Sequence, residues 1–112
     1  MKRFRKSTKY KGDKYEHHVA WKMRFHGFFM IRVRGQSSDY GCDVSAMCFP
    51  FGKIVVQCKN YKGKVGVQAV QEIYAAKRYY HATRAAVATN STFTKNAEKL
   101  ARACGVELWA RY

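Results

Sequence analysis

Two short apolar segments, residues 42–48 and 53–60, flank Pro50 and Gly52, and this arrangement constrains the fold more than any other feature of the chain. Proline and glycine between two such runs mark a turn, so the segments are expected to form an antiparallel hairpin. Strand side chains alternate between faces, which sends Gln57 and Lys59 one way and Cys58 the other. Folding about Pro50 and Phe51 brings Asp43 opposite Gln57 or its neighbour. If the register pairs Asp43 with Gln57, a carboxylate, an amide oxygen and an ammonium share one face. A slip by one residue puts Asp43 on the wrong face.

The rest of the chain supplies elements to pack around this hairpin. A helix is expected from Asp13, which can cap it, with Glu16 three residues on completing a capping-box pattern. Tyr15, Val19, Ala20 and Met23 recur at helical spacing, and Gly27 ends the run. Residues 28–33 read as a strand, and 35–41 as a polar loop bounded by glycines. A second helix is expected over about 67–80. The run 85–88 is small and apolar throughout, as suits a strand covered on both faces. Thr94 is placed to cap a third helix, whose Ala97, Leu100, Ala101 and Cys104 fall at i, i+3, i+4 and i+7. Gly105 closes that helix, and 106–109 is a last short strand. The order helix, three strands, helix, strand, helix, strand predicts an α/β sandwich with a mixed central sheet flanked by helices.

Charge narrows the partners. Lys and Arg number 22 against 7 Asp and Glu, a formal net charge of +15. Such a field gathers polyanions, nucleic acid foremost, with an anionic membrane surface or a ribosome-like structural role as the alternatives. Lys2, Arg3, Arg5, Lys6, Lys9 and Lys11 form a basic arm over 1–12, ahead of a single domain over 13–112. The four cysteines and four histidines lack zinc-finger spacing, so a reduced, cytoplasmic protein is expected. No run has the length of a membrane span.

The hairpin patch carries chemistry. Phosphodiester hydrolysis uses a hard cation such as Mg²⁺, with Mn²⁺ as a substitute, and Asp43 and Gln57 are candidate oxygen ligands. Lys59 is the candidate to orient water and balance charge on the phosphate; whether it also takes the proton is left open. Lys62 and Lys64 in the following loop, Gln68 and Gln71 on one face of the second helix, and Ser91, Thr94 and Lys95 near the start of the third are candidate nucleic-acid contacts. Each has a plainer role as a solvated residue or, for Thr94, a helix cap. DNA is the expected partner. Cutting both strands needs two active sites or two visits, which makes a homodimer one expected arrangement.

At these residues the chain resembles a known family. The runs Ser38-Asp39-Tyr40-Gly41-Cys42-Asp43-Val44 and Ile54-Val55-Val56-Gln57-Cys58-Lys59-Asn60-Tyr61 look like the Mrr-like restriction endonucleases, within the broad PD-(D/E)xK nuclease group. The resemblance continues through Val65-Gly66-Val67-Gln68-Ala69-Val70-Gln71-Glu72, then Thr89-Asn90-Ser91-Thr92-Phe93-Thr94-Lys95-Asn96-Ala97 and Gly105-Val106-Glu107-Leu108. It covers about residues 13 to 109. It implies a restriction-endonuclease-like fold and Mg²⁺-dependent cleavage of DNA, with Asp43 as metal ligand and Lys59 as catalytic lysine. Gln57 stands where the broader group has Glu or Asp, as is usual in this branch. The resemblance also implies a compensating helical glutamate, and Glu16 matches its position. Larger members carry a separate recognition domain, for which the basic arm is expected to substitute in part. A junction resolvase with related chemistry and a non-catalytic DNA-binding module on the same fold are the competing expectations, with an RNA-associated structural role more remote.

Overall fold

The computed structural model describes residues 14–34, 41–50 and 52–112. The expected arm over 1–12, the Asp13 cap and most of the 35–41 loop lie outside these residues. Helix α1, residues 14–23, buries Tyr15, Val19, Ala20 and Met23, the stripe that its periodicity predicts. Its final turn tightens into a 3-10 turn over Arg24–His26, and Gly27, at φ 88°, ends it. A left-handed backbone there is accessible to glycine at little cost.

The strands are β1 (Phe28–Val33), β2 (Val44–Cys48), β3 (Gly52–Lys59), β4 (Arg84–Thr89) and β5 (Glu107–Trp109), with α2 (Val67–Tyr79) and α3 (Lys95–Cys104) between the later ones. They form one five-stranded sheet in sequence order. β1, β2 and β3 pair antiparallel, and β3, β4 and β5 run parallel, so the sheet is mixed. The parallel pairs follow from the connections, since α2 and α3 each carry the chain back to the starting edge of the next strand.

Alternation along β3 and β4 divides the core. Ile54, Val56, Ala86 and Ala88 pack with Tyr15, Val19, Ala20 and Met23 of α1. Val55, Ala85 and Val87 face the other way, onto Val70, Ile73 and Ala76 of α2 and Ala97 and Ala101 of α3. Both faces of the central strands are thus covered, and the alanines of β4 are small enough to let helices approach from either side. The result is the α/β sandwich that the element order predicts. All four cysteines are free thiols, Cys42 and Cys48 buried, Cys58 and Cys104 half-buried. No helix among the described residues is long and apolar enough to cross a membrane.

Thr94 caps α3: its hydroxyl accepts a hydrogen bond from Ala97 N at 3.0 Å, and Gly105 closes the other end at φ 72°. Removing the hydroxyl leaves a helix-start N–H without its side-chain acceptor. Thr94→Ala is therefore expected to lower unfolding stability by about 1 kcal/mol, read as a lower urea midpoint with an unchanged slope.

Candidate active site

One end of the sheet collects Asp43, Gln57 and Lys59 with the loops that follow β3 and β4. β3 ends at Lys59 and β4 at Thr89, while antiparallel β2 begins there at Val44, one residue after Asp43. The loops that leave β3 and β4 run side by side: Val65 and Phe93 form a parallel bridge, and Tyr61 N donates to Asn90 Oδ1 at 2.8 Å. Helices α2 and α3 start from these loops, so their N-termini point to the same end. Ligands of open α/β sheets bind outside the carboxyl ends of parallel strands for this reason.

The β2–β3 ladder pairs Val44 with Val56, and Asp43 N donates to Val56 O at 2.9 Å. Asp43 therefore stands just past the last rung, beside Gln57 and Cys58. Its Oδ2 accepts from Cys58 N at 2.8 Å, which pins the carboxylate over the end of β3. Gln57 lies on the α2 face and is only 3% exposed. Its Nε2 donates to Glu72 Oε1 at 2.7 Å, and Lys59 Nζ lies 3.9 Å from the same oxygen. Gln68, one turn earlier on α2, donates to Glu72 Oε2 at 3.1 Å. Asp43, Gln57, Lys59, Gln68 and Glu72 thus form one connected patch.

Glu72 is the member that motif reasoning passed over, quoted only within a longer run. A signal for it was present: it is the sole acid of α2, sits four residues after Gln68, and adjoins the buried Ile73. Glu16 is placed differently from Glu72. It is buried on α1, across the sheet from Gln57, and its charge, like that of Asp43, falls on Cys58. Burial first, and those negative charges second, push the Cys58 thiol well above its usual range, so it is a protonated neighbour of the site. Lys62, Lys64 and Lys95 are exposed at the same end, with Ser91 half-buried beside them and Gln71 exposed on α2. Thr94 is engaged as the α3 cap.

Burial raises Asp43 to about 6, with the Glu72 charge adding to the rise, while the Cys58 N–H and Lys59 oppose it. The folded value lies above the ordinary 3.8, so the stability linked to this group is full below about pH 4 and is lost as pH rises through 6. The shift corresponds to roughly 3 kcal/mol between low and high pH. In EDTA, Asp43→Asn is expected to be more stable than the parent at pH 8 by about 1–3 kcal/mol, with the gap closing near pH 4. A urea-melt gap that widens towards acid contradicts this account.

The oxygens present suit a hard divalent cation. Gln57 Oε1 is buried and has no hydrogen-bond partner, which is costly unless something else satisfies it. Asp43 bonds to both chain neighbours of Gln57, to Val56 O through its N–H and to Cys58 N through its carboxylate. Among the described residues no group of three or more His, Cys, Asp or Glu side chains converges as a metal cage. Mg²⁺ does not ask for one, since it keeps several waters and is held by one or two side chains and the substrate's phosphate.

Comparison with known proteins adds a family to this geometry. The family model for the Mrr catalytic domain, described as a restriction endonuclease, matches residues 7–112. The chain belongs to this Mrr-like restriction endonuclease family. Among solved structures, the Mrr-like chain is similar to the crystal structure of AF1548, a protein of unknown function, with a TM-score of 0.72 at 23% identity. That match covers 85% of this chain and 55% of the other. It is also similar to EndoMS in a complex with double-stranded DNA, with a TM-score of 0.59 at 18% identity, covering 75% of this chain and 36% of that one. At such identities the two likenesses establish the fold, which is restriction-endonuclease-like. The chain thus spans about half the length of the first structure and about a third of the second. No curated protein matches the sequence.

Proposed function

We propose that this chain is a metal-dependent DNA endonuclease of the restriction type, with Asp43, Gln57 and Lys59 at the reacting phosphate. The observation that carries the reading is the buried, unpartnered Gln57 Oε1 on the strand end to which Asp43 is bonded, with the Lys59 ammonium on the same patch, in a chain of this family. The residues that would hold Mg²⁺, or Mn²⁺ in its place, are Asp43 and Gln57; Glu16, across the sheet on α1 with its charge on Cys58, is the further carboxylate proposed to act on the cation. When bound, the cation supplies polarisation of the phosphate and a lower pKa for water.

The chain's own groups do the rest. Asp43, fixed by Cys58 N, sets where positive charge sits against the scissile phosphate. Lys59 offers its ammonium to the charge that grows on the phosphate oxygens. The exposed Lys62, Lys64 and Lys95, with Ser91, Gln68 and Gln71, hold the backbone on either side. DNA is favoured as the polymer by the net charge of +15 and by the family. The catalytic unit is residues 13–112, with the 1–12 arm adding phosphate contacts, and the protein works in the cytoplasm. A homodimer supplies the two sites needed for a double-strand cut.

The test is incubation of the pure protein with duplex, modified and four-way-junction DNA, with Mg²⁺ and with EDTA. Cleavage that requires the metal is the expected result. Preference for junctions would make the enzyme a resolvase. Salt-sensitive binding with no cleavage of any substrate would make it a binding module and overturn the reading.

A further inference from the structure

We infer that Glu72 is a positioning residue that locks the side-chain amide of Gln57 in one orientation, so that Oε1 faces the Asp43 carboxylate. The inference rests on the metal site proposed above. It arises from an asymmetry between amide and carboxylate. A carboxylate offers two equivalent oxygens however it is turned, whereas a glutamine presents an oxygen on one side and an NH₂ on the other. With glutamine in the central position, only one of two amide orientations gives a cation an oxygen. Something must select it.

Glu72 is built to select it. An ionised carboxylate only accepts hydrogen bonds, so the group facing it at 2.7 Å must be the Gln57 NH₂, and Oε1 must point the other way. The reverse orientation would set two acceptor oxygens against each other at that distance. Both Glu72 oxygens are engaged, Oε1 by Gln57 with Lys59 nearby and Oε2 by Gln68, which suits a holder more than a ligand. The main chain closes the remaining side. Gly41, at φ 77°, lies so close that a Cβ there would stand 2.9 Å from Gln57 Nε2 and 3.3 Å from the Glu72 Cβ. The Gly41 backbone thus lies against the pair, with no room for a side chain between them.

The lock can be read without metal and without DNA. In EDTA, the Gln57 NH₂ protons, assigned by their loss in Gln57→Glu, are expected as a downfield, slowly exchanging pair in ¹H–¹⁵N NMR spectra. In Glu72→Gln they should move to the solvent-exposed glutamine region and exchange fast. Mn²⁺ titrated alone, followed by its electron paramagnetic resonance signal, should bind Glu72→Gln about 10–100-fold more weakly than the parent. Glu72→Asp keeps the charge but withdraws the acceptor by one methylene, and should also weaken binding. The exchanged pair Gln57→Glu with Glu72→Gln restores a donor facing an acceptor. It should recover Mn²⁺ affinity to within about threefold of the parent, where a merely structural defect would not be rescued. Unchanged Gln57 amide signals in Glu72→Gln overturn the lock, and Mn²⁺ affinity equal to the parent in that variant overturns its role. A failure of the metal site itself reads differently: Asp43→Ala would then leave Mn²⁺ binding intact while the amide signals of the parent still report the lock.

Discussion

Asp43→Ala and Lys59→Ala are each expected to reduce metal-dependent DNA cleavage by about 10²–10³-fold, while both proteins stay folded and bind DNA. The size follows from what each group does at the phosphate. Lys59 places a full positive charge beside a half-buried patch from which bulk water is partly excluded, and removing one such preorganised electrostatic group costs about 10²–10³ in rate. Asp43 is the carboxylate of the proposed cation site on the Gln57 face of the sheet, and its loss leaves only the neutral Gln57 Oε1 dipole on that face. DNA binding should change little, because affinity for a polyanion is spread over a surface of net charge +15. Single-turnover cleavage and salt-dependent binding, measured on the same variants, separate the two effects. Normal cutting by either variant removes that residue from the mechanism.

Ile73→Ala is expected to destabilise the domain by about 3 kcal/mol, within the roughly 2–5 kcal/mol seen for such truncations. Ile73 is fully buried between α2 and the sheet, packed among Val55, Val70, Ala85 and Val87. The cost has two parts: lost transfer of the removed methyl groups from water, and a cavity that a sheet and a helix cannot fully close. The same change bears on the site, since Glu72 precedes Ile73 on the helix and reaches Gln57 only because that turn of α2 is seated. Loss of stability should therefore come with weaker Mn²⁺ binding at temperatures where the variant is still folded. A urea melt shifted by less than about 1 kcal/mol would place the packing load elsewhere.

Much of this molecule was legible because it is local. The stripe of α1, the Thr94 cap and Gly105 stop of α3, and the hairpin around Pro50 each follow from a period or a backbone preference that operates within a few residues. Alternation along β3 puts Gln57 and Lys59 on one side, and counting along the two segments brings Asp43 to the same end. The tightened 3-10 turn after α1 was less accessible, because the choice between hydrogen-bonding to the third or fourth residue turns on small energies at a helix end.

What the sequence by itself determined was the set of elements, their order, and the shared face of Gln57 and Lys59, since strand geometry has a fixed period of two; the register that brings Asp43 to them was set by the folded hairpin. What only the tertiary structure decided was which helical side chains meet that patch. Glu72 arrives on it and Glu16 on the opposite side of the sheet because of where α2 and α1 lie and how each is rotated about its own axis. Those rotations are set by burying Val70, Ile73 and Ala76 on one face of the sheet and Tyr15, Val19 and Met23 on the other, a packing balance summed over both layers that no short stretch of sequence contains.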